Sequence, residues 1–115
     1  MDELSKALRY NNLLLIYQTL LTDTQKDILS DYYFFDLSIS EISENRNVSR
    51  AAIEDAIKKG QLKLDKFENE LHIFEKNNDI KLIINKLKES SNDEQNKLLE
   101  DMERIIENGI WITYR

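Results

Sequence analysis

The side chains in this sequence best equipped to do chemistry are cations. Lys58, Lys59, Lys63 and Lys66 crowd the segment KKGQLKLDK, where Asp65 is the only acid, and Arg50 lies a short way upstream. Ammonium and guanidinium groups in such a strip can neutralise RNA phosphates or the carboxylates of a protein partner. The same pattern suits the solvated face of a long helix, with lysines set against the dipole near its end. Both readings stand at this point.

Catalysis has less to work with. The one histidine, His72, sits among Leu71, Ile73 and Phe74 with no nucleophile or orienting carboxylate at a defined spacing, so it reads as a helix residue. Glu54-Asp55 and Glu100-Asp101 are sequence neighbours, which diverge on a helix and serve as solvated charge rather than as acid/base pairs. No glycine-rich phosphate loop occurs. The lack of cysteine removes disulfides, thiolate metal sites and thiol nucleophiles. The expectation is a binding protein rather than an enzyme, with no catalytic residue, metal or cofactor.

The elements that hold the cations in place must be helices. With no proline, two glycines and 33% charged residues, the chain has few of the punctuation marks that strands and tight turns need. Its 115 residues suffice for one main core. The net charge of −6 repels phosphates overall, so any nucleic-acid contact has to come from a local patch. Leu13 to Tyr17, the longest apolar run, is far short of a membrane span, and Met1-Asp2-Glu3 opens the chain without a basic region. A cytoplasmic protein with no targeting or anchoring segment is expected.

Leu4, Leu8, Leu14, Leu15, Tyr17, Leu20 and Leu21 predict one amphipathic helix over residues 2–21. Thr22 and Gln25 then have capping-box spacing, which starts a second helix at Asp23 with Ile28, Leu29, Tyr32 and Tyr33 on it. Ser38 and Glu41 repeat the box and open a short helix, with Ile39 and Ile42 inward. Asn47 is a left-handed stop, and Ser49 caps a helix predicted to reach about Lys76, weakest at Gly60. Asn77-Asn78-Asp79 reads as the next interruption, followed by helices over residues 79–89 and 93–108. Ser91 with Glu94 supplies a third box, Gly109 a C-terminal stop, and the apolar tail around Trp111 is expected to dock on the helices or on a second subunit. Of Tyr32-Tyr33-Phe34-Phe35, a possible platform for bases, at least half are expected in the core. Leu98, Leu99, Met102, Ile105 and Ile106 form a stripe suited to a core or a dimer seam more than to a peptide groove.

The stretch LSISEISENRNVSRAAIEDAIKK carries the pattern of a helix-turn-helix. That hairpin needs a small residue where its helices cross, a positive-φ residue in the turn, an apolar residue after it, and two apolar positions on the second helix. Ser43, Asn47, Val48, Ile53 and Ile57 meet those needs in order. Ser49, Arg50, Ala51, Glu54, Asp55 and Lys58 should then project outward. A helix that reads DNA wants donors there, so Glu54 and Asp55 disfavour DNA, although a DNA-binding regulator using Ser49 to Lys58 remains the alternative.

Residues 13–75 or so hold, in order, an LLT-x-x-Q opening, a YY pair, a DLS-x-x-EI entry and a VSR start of the second helix. With these motifs the chain resembles the YlxM family of helix-turn-helix proteins from low-G+C Gram-positive bacteria, whose hairpin is similar to region 4 of sigma factors. The resemblance implies an all-α helical bundle containing the helix-turn-helix, followed by a long helix and C-terminal helices. It also implies an accessory of the signal recognition particle pathway that contacts the particle's GTPase or small cytoplasmic RNA, and a homodimer through the C-terminal helices. Glu54, Asp55 and Ala56 depart from the basic or hydroxyl residues that sigma-like relatives carry. The expected organisation is 1–76 for the N-terminal helix, hairpin and long helix, and 77–115 for C-terminal helices packed on the same core or a second subunit. Ser49, Arg50, Lys58, Lys59, Lys63 and Lys66 are the expected contact residues.

Overall fold

Side-chain caps set most helix starts in this chain. In a computed structural model, which describes residues 2–108, the chain is all-α, with six α-helices and no strand among the described residues. They are α1 (Glu3–Tyr17), α2 (Asp23–Tyr33), α3 (Ile39–Arg46), α4 (Arg50–Leu71), α5 (Ile73–Lys88) and α6 (Asp93–Asn108). Asp2 caps α1 by accepting from the Ser5 amide at 2.7 Å. Both predicted capping boxes at Thr22/Gln25 and Ser38/Glu41 are formed, each with two reciprocal bonds of 3.1 or 3.2 Å. Gly109 and the Trp111 tail lie outside the described residues.

Three boundaries differ from expectation. The first helix ends at Tyr17 and gives way to a 3-10 turn over Gln18–Leu20, because Leu21 and Thr22 must be extended for the box that opens α2. The long helix stops at Leu71, where His72 takes a left-handed conformation (φ 58°) and its ring nitrogen faces the Glu75 carboxylate at 3.1 Å. Asn77-Asn78-Asp79, the predicted break, is helical interior. Asn77 spends its amide on the Ile106 carbonyl at 3.4 Å rather than on its own backbone. Third, α6 is capped by Asn92, whose side chain and backbone exchange bonds with Gln95. Ser91 instead turns its hydroxyl back onto the Leu87 carbonyl.

The chain separates into two compact units between Leu71 and His72. In the first, α4 packs against α1, α2 and α3. Its inward row is Ile53, Ile57, Gly60, Leu64 and Glu68, spaced as one face of a helix and buried throughout. Opposite stand Tyr10, Leu13, Leu14 and Tyr17 of α1, Ile28 and Leu29 of α2, and Ile42 of α3. Gly60, expected to be the weak point of the helix, is unbroken and serves for close approach. A Cβ there would lie 2.6 Å from Leu29 Cδ1 and 3.0 Å from its Cγ.

Polar bonds the sequence did not disclose fasten α1 and α2 to the same helix. Asp65 accepts from Arg9 Nη2 at 3.0 Å and from the Tyr10 hydroxyl at 2.7 Å. The Tyr17 hydroxyl donates to Glu68 at 2.6 Å, and Gln61 Nε2 donates to the Tyr33 hydroxyl at 2.6 Å. Burial raises the Tyr10 phenol to about 12, assisted by its bond to Asp65, and burial also raises Tyr33.

The second unit is a hairpin of α5 and α6 tied by Lys88 to Glu103 and by Lys81 to Glu107 at 3.6 Å. Among its described apolar residues only Ile84 and Leu99 are buried, while Leu82, Ile83, Leu87, Leu98, Met102 and Ile105 are exposed. No helix among the described residues is long and apolar enough to cross a membrane.

Two outcomes follow from the α4 interface. Gly60→Ala gains about 1 kcal/mol of helix propensity. It also overpacks against a fully buried Leu29, which costs about 1–3 kcal/mol. Urea unfolding should show a net loss, and Leu29→Val in the same background should return part of it. The raised phenols generate a pH effect. Unfolded tyrosine ionises near pH 10. The contribution of Tyr10 is therefore complete below about pH 10 and is lost as pH rises toward 12, and that of Tyr33 is lost in the same direction. Urea midpoints should fall across that window, and less steeply in Tyr10→Phe.

Candidate helix-turn-helix interface

Helices α3 and α4 meet through Asn47, which adopts the left-handed conformation (φ 55°, ψ 45°) that asparagine tolerates better than other non-glycine residues. Its amide reaches the Glu44 carbonyl at 3.3 Å, and the Val48 amide reaches Ser43 at 3.1 Å, so the end of α3 is satisfied within the turn. Ser43 is buried at the crossing, with its hydroxyl donated to the Ser40 carbonyl at 2.9 Å. Ser49 caps α4 by accepting from the Ala52 amide at 3.1 Å. Ile42, Ile53 and Ile57 form the wedge, the last two only 1% and 5% exposed. Val48 is a correction: it is 46% exposed and stays out of the wedge, which those three isoleucines close. Arg46 of α3 also donates to Asp31 of α2 at 3.2 Å, which braces the hairpin against the preceding helix.

The outer face of α4 is as polar as expected, with Ser49, Arg50, Ala51, Glu54, Asp55 and Lys58 all exposed. Its charge is interleaved. Arg50, Glu54 and Lys58 follow at i, i+4 and i+8 and so share one stripe, with the carboxylate between the cations. Asp55 pairs with Lys59 at 2.9 Å, both well exposed, a contact worth little in stability but enough to compensate charge.

Lys59, Lys63 and Lys66, at i, i+4 and i+7, make a second stripe. Arg50 precedes Lys59 by nine residues, which at about 100° per residue places it half a turn away. The six expected contact residues thus fall on different sides of one helix rather than in a single patch. Lys63 Nζ donates to Gln25 Oε1 at 3.1 Å. Asp65, which the sequence places among the lysines, points toward α1 and is compensated by Arg9. Among the described residues Arg50, Lys58 and Lys66 make no ion pair.

Inward-facing polar groups were the part that sequence reading missed. Gln61, Asp65 and Glu68 lie at i, i+4 and i+7, beside the buried Gly60 and Leu64, and that spacing was the available signal. The aromatic run also differs from expectation. None of its four members is fully buried: Tyr32, Tyr33 and Phe34 are half-buried and Phe35 is 67% exposed. Tyr33 stacks edge to face with Tyr32 (centroids 5.0 Å apart, planes at 79°) and lies 6.2 Å from Tyr10. It serves as a packing post between α1, α2 and α4. No group of His, Cys, Asp or Glu able to hold a metal ion occurs among the described residues.

Comparison with known proteins agrees with this architecture. Residues 4–105 match the family described as "Putative helix-turn-helix protein, YlxM / p13 like" (UPF0122). A UPF0122 protein of Bacillus thuringiensis is 36% identical over 104 residues, covering 90% of this chain and 94% of its own. One from Fusobacterium nucleatum is 42% identical over 97 residues, covering 84% and 88%. A third, from Malacoplasma penetrans, is 49% identical over 75 residues, covering 65% and 70%. With nearly its whole length matched and the hairpin built from the residues that define one, this chain belongs to the UPF0122 family of YlxM / p13-like helix-turn-helix proteins.

Proposed function

We propose that this protein is a non-enzymatic interaction protein of the protein-targeting machinery, located in the cytoplasm, that contacts the GTPase of the signal recognition particle through the outer face of α4. The YlxM resemblance suggests the pathway. The single observation that favours a protein contact is the interleaving of Arg50, Glu54 and Lys58 beside the Asp55–Lys59 pair. A surface offering both signs in alternation complements a protein of mixed charge, whereas phosphates want cations alone.

Arg50 and Lys58 form the first contact stripe in this reading, with Ser49 fixing the start of the helix. Lys59, Lys63 and Lys66 form the second, which is suited to the small cytoplasmic RNA carried by the same particle. The hairpin geometry also supports a DNA-binding regulator; Glu54 and Asp55 weigh against it.

The expected boundary at 76/77 falls inside α5, so the division of labour is assigned to the two compact units instead, contact in residues 1–71 and homodimerisation in residues 72–115. The exposed apolar residues on α5 and α6 support the latter, since a hairpin burying so little lacks a core of its own. Leu98, Met102 and Ile105 at i, i+4 and i+7 make a seam for a second copy.

Titration of the full chain with the purified GTPase, the small cytoplasmic RNA and duplex DNA tests the contact. Saturable binding to the GTPase is expected, weakened about tenfold or more by Arg50→Glu with Lys58→Glu. Binding to DNA alone, or a GTPase affinity that ignores both substitutions, overturns the reading. For the dimer, light scattering should give twice the chain mass for the protein and a single chain mass for Leu98→Glu with Met102→Glu. A native protein that is monomeric at every concentration overturns it.

A further inference from the structure

We propose that the groove between α1, α2 and the first turn of α3 binds a basic amphipathic helix of a partner protein. It is an open depression of about 590 Å³, walled by Leu4 and Leu8 of α1, Tyr32 and Tyr33 of α2, and Asp36 and Glu41 at the approach to and start of α3. None of its lining residues belongs to α4, so the site is separate from the helix-turn-helix face and does not rest on the reading of that face.

Its chemistry has two parts. Leu4 and Leu8 are 71% and 56% exposed although they sit at i and i+4 of a helix whose later turns are buried. The N-terminal half of α1 therefore presents an apolar ridge that nothing in its own unit covers. That ridge matches the i, i+3/i+4 anchors of a helix laid into a groove.

The rim chooses the sign of the guest. Asp36 and Glu41 are exposed carboxylates, and no lysine, arginine or histidine lines the groove among the described residues. Glu41 accepts from the Ser38 amide through one oxygen, and that bond holds its carboxyl below the ordinary range, so it keeps its charge. Tyr32 and Tyr33 complete the wall with aromatic surface and bring no cation to it. Carboxylates at the edge of a leucine floor select a segment with apolar anchors flanked by arginine or lysine, and reject an acidic one.

The probe is a 15-residue peptide helix with leucines at i and i+4 flanked by arginines, titrated into the isotope-labelled full chain. Its twin carries glutamate for each arginine. Amide shifts are expected at Leu4, Leu8 and Leu37 with the arginine peptide, in several leucine registers if the first does not fit, and none with the twin.

The double variant Asp36→Asn with Glu41→Gln should weaken binding about tenfold. Asparagine tolerates the left-handed backbone at position 36 and glutamine keeps the capping box, so the fold is retained. Leu8→Glu, at a well exposed position, should abolish binding. Equal response to both peptides, shifts confined to α4, or silence with every register overturns the proposal. So does binding that appears only after residues 109–115 are deleted, which would make the chain's own tail the occupant. A native dimer that Leu8→Glu dissociates would make the occupant a second copy and likewise overturn it.

Discussion

Every face of the first unit is set by one constraint: α4 must offer a single continuous row to three helices at once. Ile53, Ile57 and Leu64 are buried along it, Gly60 admits Leu29 of α2, and Glu68 accepts from Tyr17 of α1. With that row fixed, helical geometry leaves no freedom over what points outward. The exposure of Arg50, Glu54 and Lys58 is a consequence of where the isoleucines are. The tight spot in the row is Gly60, where the absence of a side chain lets α2 come close enough for Leu29 to be fully buried.

Local chemistry was the legible part of the sequence. Capping boxes at Thr22 and Ser38 need only residues three apart, and the Asn47 turn needs only one residue that accepts positive φ, so all were readable before any packing was known. The helix-turn-helix wedge was legible for a related reason, since its isoleucines sit within one hairpin. What escaped was settled at longer range. Gly60 looks like a helix breaker until Leu29, thirty-one positions earlier, is seen to need its space. The Asn77-Asn78-Asp79 cluster looks like a loop until Asn77 is seen to donate to the backbone of α6. His72, with no marking in its composition, makes the actual break by taking a left-handed backbone, its ring beside the Glu75 carboxylate. Val48 is the converse error, an apolar residue assigned to the wedge that three isoleucines had already filled.

The candidate contact face was half legible for the same reason. Sequence gives the cations and the acids between them, and both lie outside as expected. Their grouping in space does not follow from nearness along the chain, because nine residues carry Arg50 half a turn from Lys59. A strip that reads as one patch in letters becomes two stripes on a cylinder.

Asp65 shows how strongly burial alters the meaning of a charge count. In the sequence it dilutes the lysines around it. In the fold it is turned to α1, half-buried, and held by Arg9 and Tyr10, so its field is largely spent within the protein. Asp65 therefore does not dilute Lys63 and Lys66 on the outer face, although Asp55 still compensates Lys59 and the whole chain carries −6. Glu54 makes the opposite case, exposed between Arg50 and Lys58 with nothing to turn it inward. Beside Lys63 and Lys66 the neighbouring acid is held inside by its bonds to α1, whereas beside Arg50 and Lys58 it is exposed. The charge displayed along α4 is in that sense set in part by the helix that packs behind it.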